Sequence, residues 1–148
     1  MAIYSAALRI ANNQGAQSHA QLVTTTTKRA NVLEIGLTLI FANASQFGLG
    51  HMVGGSNALV FANGLPEIGG VSNGTSESSI TVGHTALTGG TTPLAFYRRA
   101  SIGGAVGAGL VWTFPRGLTV PTANSISVWN IPATNTNSNT DTWFVWDE

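Results

Sequence analysis

The sequence predicts an all-β protein: an antiparallel β-sandwich, jelly-roll-like, with about eight strands, in a single domain over residues 1–148. Three observations carry that expectation. Apolar and polar residues alternate in several stretches while helical periodicity is scarce, and alternation sends successive side chains to opposite faces of a sheet. Clusters of Gly, Asn and Pro such as "SNGTSE" and "PTANS" punctuate these stretches, as tight turns require. Hydrophobic residues make up 43% of the chain and charged residues only 8%, a balance that can fill a core and is the reverse of a disordered composition.

The elements follow in order. "AIYSAALRI" places Tyr4, Ala6, Leu8 and Ile10 on one face and Ser5, Ala7 and Arg9 on the other. "HAQLVTTTT" is Thr-rich and expected to be extended. "VLEIGLTLIF" has the strongest alternation: Leu33, Ile35, Leu37, Leu39 and Phe41 point one way, and Val32, Glu34, Gly36, Thr38 and Ile40 the other. "NNQG", "NASQFGLG", "VGGSN", "ANGLPEIGG" and "LTGGTTP" read as turns or loops. Asn63-Gly64 and Asn73-Gly74 are dipeptides suited to positive φ. The segment from about Gly54 to Gly90 is expected to be loop-rich, with a strand near Ile80 to Thr85. "SSITVGHTAL", "LAFYRRA", "GLVWTF", "SISVWNI" and "TWFVW" supply five more β-type runs, rich in the β-branched and aromatic residues that suit a pleated surface. Pro115 cannot donate to a ladder, so a strand ends or meets an edge there. "TNTNSNTD" reads as a polar link before the last strand.

Composition also narrows the chemistry. Six basic and six acidic residues leave no net charge, so there is no basic surplus for nucleic acid and little repulsion between copies. Cysteine is absent, which excludes disulfides and thiol chemistry. No apolar run reaches the roughly 20 residues of a membrane span, and Arg9 stands where a signal peptide would be apolar. The expectation is a protein made in the cytoplasm, soluble, with no membrane partner. His19, His51 and His84 are widely spaced and lack the close pairing of zinc sites. "GLGHMVGG" and "GGAVGAGL" are not followed by a helical pattern that would aim N–H groups at a phosphate. They read as tight loops or sites of close backbone packing. No G-x-S-x-G elbow occurs. The expectation is therefore no enzyme, no catalytic set, no cofactor and no metal. Glu34 interrupts an apolar strand and reads as a solvent-facing or interface carboxylate, with an arginine as a candidate partner. Of Arg98 and Arg99, one is expected to face outward and the other to span to a carboxylate, since a guanidinium fork matches carboxylate geometry.

"RANVLEIGLTL", "GLG", "FYRR", "GAGLVWTFPRGLTVP", "SISVWNI" and the terminal "WFVWDE" together resemble small virion-associated proteins of tailed bacteriophages and prophages. The likeness spans most of the chain and is weakest between Gly54 and Gly90. The chain is also similar in style to jelly-roll cement, or decoration, proteins, which sit as trimers on the outside of phage heads. That resemblance implies a non-enzymatic virion protein, a homotrimer that bridges major capsid subunits; the residues themselves, not the resemblance, make Arg98, Arg99, Arg116 and Glu34 the candidate interface residues. A tail or baseplate component is the first alternative. A carbohydrate-binding module using Trp112, Trp129, Trp143 or Trp146 as a stacking platform is the second.

Overall fold

A computed structural model of the chain describes residues 2–10, 17–51, 61–68, 74, 76–82, 93, 95–131 and 139–148. All regular structure among them is strand: β1 (Ile3–Ile10), β2 (Gln17–Val23), β3 (Ala30–Leu39), β4 (Ser45–His51), β5 (Phe61–Asn63), β6 (Leu65–Ile68), β7 (Ser79–Val82), β8 (Arg98–Ile102), β9 (Gly109–Val120), β10 (Ser125–Asn130) and β11 (Thr140–Asp147). They form two antiparallel sheets, a five-stranded one in the order β6-β1-β11-β3-β9 and a six-stranded one in the order β5-β7-β2-β10-β4-β8. The predicted β-sandwich is present, with eleven strands in place of about eight.

The pairing is nested. β1 pairs with β11, β2 with β10, β3 with β9 and β4 with β8. The first half of the chain thus folds back along the second. The unexpected strands are β4, β5 and β6, while β7 is the strand expected near Ile80; β5, β6 and β7 are short and lie between β4 and β8 in sequence. They extend the β1 side of one sheet and the β2 side of the other. Two of them arise where turns are expected: β5 and β6 fall in "ANGLPEIGG". β4 likewise occupies "NASQFGLG". In β4, Phe47 and Leu49 are fully buried, while Gly48 leaves room for Phe96 and Ile131, whose side chains would lie 2.6 Å from any added Cβ. The glycines here serve close packing, not a turn. Gly64 behaves the same way, since a Cβ there would meet Trp146 and Tyr4 below 3 Å and its φ is not positive. Gly74 does adopt the predicted positive φ, at 63°. "NNQG", "VGGSN", His84 and most of "LTGGTTP" and "TNTNSNTD" lie outside the described residues.

One apolar layer fills the space between the sheets. Leu37, Phe144, Trp146 and Val32 from the first sheet and Leu22, Phe47, Leu49, Ile126 and Val128 from the second are essentially inaccessible. The β1 alternation holds, with Tyr4 and Ile10 buried and Arg9 exposed. In β3 it holds only from Ile35 onward. Both of β3's partners skip Leu33: Val32 faces Trp146 and Leu118, and Glu34 faces Val145 and Thr113. A bulge at Leu33 reverses the parity. Val32 therefore enters the core although alternation assigns it to the other face, and Leu33 is only half-buried. Phe41, expected on the core face, lies beyond β3 and is 54% exposed.

β9 is an edge strand, one of the two outcomes expected at Pro115, and it does not end there but runs on to Val120. The registers Glu34↔Thr113 and Val32↔Leu118 leave Phe114, Pro115, Arg116 and Gly117 opposite Leu33 alone, so this segment bulges from the edge. Gly117 carries φ of 71° and lies against Asn31, at a distance that leaves no room for a Cβ. The next turn has a costlier device. Ala123 has φ of 52°, a region that disfavours side chains. Thr24 holds this turn by donating to the carbonyls of Pro121 (2.5 Å) and Asn124 (3.0 Å), and the Ala123 N–H donates to Thr25 O at 2.7 Å. Relief of that strain by Ala123→Gly is expected to raise stability by up to about 1 kcal/mol. Urea unfolding checks this, and an unchanged or lower midpoint contradicts it.

Candidate functional site

The two outer sheet faces differ. On the six-stranded sheet, Ser127 and Trp129 of β10 are 0% and 1% exposed although they point away from the apolar layer. Beside them, Pro93, Phe96 and Ile131 cover this face at Gly48 and Gly50. The outer face of the five-stranded sheet is open. Its rows across β1, β11, β3 and β9 read Arg9–Asp141–Thr38–Gly109, Ala7–Trp143–Gly36–Val111, Ser5–Val145–Glu34–Thr113 and Ile3–Asp147–Asn31–Thr119.

Trp143 organises the centre of this face. Its ring lies over Gly36, where an added Cβ would overlap the indole. Its Nε1–H donates to Glu34 Oε1 at 2.8 Å. The carboxylate that interrupts β3 is thus held by an indole, and no arginine pairs with it among the described residues. Ala7 and Val111 flank the ring, with Val111 51% exposed. At one end of the face, Arg9 grips Asp141 through Nε and Nη2 at 2.7 and 2.8 Å. The hydrogen bond and charge of Asp141 raise the Arg9 pKa, and Arg9 in turn lowers that of Asp141, chiefly by its hydrogen bond.

At the other end lies a recess of about 410 Å³ lined by Arg29, Asn31, Arg116, Thr119, Asp147 and Glu148. The polar groups on its floor are engaged. Thr119 donates to Asn31 Oδ1 at 3.2 Å, and Asn31 Nδ2 donates to Asp147 at 3.5 Å. Glu148 accepts from the backbone N–H groups of Glu77 and Ser78 and from Trp146 Nε1, at 2.7–3.2 Å. Burial pushes its pKa up, but these hydrogen bonds outweigh burial and hold it below the usual carboxylate range. Arg29 and Arg116 are both exposed and, among the described residues, neither guanidinium has a hydrogen-bond or ion-pair partner.

The arginines singled out from the sequence separate into two kinds. Arg98 lies with its guanidinium 5.8 Å from the Phe114 ring centroid, where β8 and β9 approach across the open side of the sandwich, and donates to Tyr97 O. Arg99 lies 5.6 Å from the Phe96 centroid. Both cover aromatic rings, as cation–π geometry favours, and the expected span from one of them to a carboxylate is not found among the described residues. Arg116 alone of the three stands at the recess. Arg29 and Asn31 carry no sequence signal, because only the β3–β9 pairing brings them beside Arg116. The four tryptophans do not form one platform. Trp129 and Trp146 are inaccessible, and Trp112 and Trp143 lie on opposite faces of their sheet.

His19 is a core residue. It is the extra residue of a bulge between the pairs Val128↔Ala20 and Trp129↔Ser18. Its Nε2 lies 2.6 Å from Thr140 Oγ1, across the sandwich, and Thr140 lies 2.8 Å from Thr142 Oγ1. Its ring meets Phe47 edge to face. His51 instead contacts Ser125 O through Nδ1 at 2.9 Å and stacks edgewise on Tyr97.

Burial lowers the His19 pKa to about 3, from an ordinary 6.5. The folded protein holds the ring neutral, so unfolding takes up a proton once the pH falls below the unfolded value. Its contribution to stability is complete above about pH 6.5 and is lost as the pH falls toward 3. Urea midpoints are expected to drop across that window, with a slope approaching about 1.4 kcal/mol per pH unit from this one proton. Asp141 and Glu148, whose pKa values are depressed, add to the loss only at lower pH, as each is protonated. A flat profile from pH 6.5 to 5 contradicts the assignment of His19.

No protein-family model, no curated protein and no solved structure matches this chain.

Proposed function

We propose that this protein is a non-enzymatic structural component of a tailed-phage particle, most consistent with a capsid cement or decoration protein that joins neighbouring subunits as a homotrimer. The observation that carries this reading is the open face of the five-stranded sheet, which presents Ala7, Trp143 and Val111 in a row, while Phe96, Ile131 and Pro93 cover the opposite sheet's outer face at Gly48 and Gly50. The pairing order supports a jelly roll: without the three short strands, the remaining eight follow the nested order of a double Greek key. The carboxylates on the open face are committed to structural partners, Glu34 to Trp143, Asp141 to Arg9 and Asp147 to Asn31. That arrangement fits a surface made for contact. Attachment would be multivalent, each weak contact raising the effective concentration for the next.

Mass spectrometry of purified particles, combined with immunogold labelling, tests this reading. The expected result is the protein in stoichiometric amounts on the head. Label confined to the tail would move the reading to a tail or baseplate component, and absence from particles would reject both. Light scattering of the isolated protein is expected to give three chain masses.

A further inference from the structure

We infer that the open face of the five-stranded sheet docks a different protein subunit, one that offers carboxylates to Arg29 and Arg116 and an apolar patch to Trp143, Val145, Val111 and Ala7. The inference rests on the particle reading above and names the surface and the chemistry of its partner.

The argument begins with charge. Arg29 and Arg116 are exposed and unpaired among the described residues, and they flank one recess. The acids in that recess form no ion pair with either guanidinium: Glu148 accepts from three N–H donors and Asp147 from Asn31. Two guanidinium forks spaced around a recess match carboxylates in pairs. A second copy of this chain does not supply them from the described residues. Each acidic side chain that is described has a partner: Glu34 has Trp143, Glu77 has Thr27, Asp141 has Arg9, Asp147 has Asn31, and Glu148 has the N–H groups above. On the described residues, the complementary charge is assigned to another protein.

Shape and size agree. The recess is continuous with the apolar row, since Asn31 and Asp147 begin the same face that carries Val145 and Trp143. A patch with an aromatic centre and arginine at its rim is the usual composition of a protein contact. Four strands of about eight residues offer roughly 500 Å², less than the roughly 800 Å² per partner of a stable isolated complex. One copy should bind weakly, and retention should require several copies acting together. The bulge of Phe114, Pro115, Arg116 and Gly117 places Arg116 at the edge of this patch, and the same bulge keeps a partner from pairing with the whole length of β9.

Particle incorporation of variants supplies the test. Particles lacking the protein are mixed with the purified wild type, the Arg29→Glu/Arg116→Glu double variant, Val111→Glu, or Val106→Asp, which alters an exposed residue of the β8–β9 loop that is not among the proposed contact residues. Circular dichroism and thermal unfolding verify that each variant folds. The expected result is normal retention of wild type and Val106→Asp, and at least a tenfold loss for the other two. Carbodiimide treatment of particles carrying Arg116→Lys is expected to link the new amine to an Asp or Glu of a different protein. Wild-type retention of both face variants overturns the inference and leaves the particle reading standing, as does a link only to another copy of this chain. Failure of the wild type itself to bind rejects the particle reading and the inference with it.

Discussion

The structure depends on burying one shared layer of apolar side chains between two sheets whose strands come from opposite ends of the chain. Phe144 and Leu37 can leave water only if Leu49 and Val128 close over them. At about 25 cal/mol per Å² of apolar surface, this layer is the main favourable term, and it has no local version. β11 must lie between β1 and β3, and β10 between β2 and β4, before any sheet is complete. Such pairings close long loops early, so the fold is won by collective burial and not by local preference.

That constraint explains how the chain uses its few polar and charged groups. The His19 contact with Thr140 crosses the layer and satisfies a ring that burial keeps neutral. Glu148 fastens the last strand to the segment before β7 through the N–H groups of Glu77 and Ser78. Trp146, in the core, donates to the same carboxylate. Arg98 and Arg99 cover the aromatic rings of Phe114 and Phe96. With 8% charged residues, most of the charges described have structural work; Lys28, Arg29 and Arg116 are exposed cations without a side-chain partner among the described residues.

The bulges set what each face presents. The one at Leu33 exchanges the roles of two neighbouring residues, moving Val32 inward. The one at His19 lets an imidazole enter the core beside Ala20. The four-residue bulge in β9 carries Arg116 out from an edge that would otherwise be a bare ladder. Each changes side-chain direction without changing the order of strands.

The sequence alone determined the β class, the antiparallel sandwich, the two faces of β1, the core side of β3 beyond Ile35, and an edge or a strand end at Pro115. These follow from local causes: a period of two, and a residue without an N–H. β4 and β5 were hidden because Gly48, Gly50 and Gly64 look like turn residues, while their real role is to admit Phe96, Pro93 and Trp146. Glu34 was visible as an anomaly, but its partner was not, since Trp143 reaches it only through the β11–β3 pairing. The recess was illegible for the same reason. Arg29 and Arg116 lie far apart along the chain, and no local pattern encodes a register between distant strands. Tertiary burial decides that register, because it is the sum over a whole face that selects one alignment.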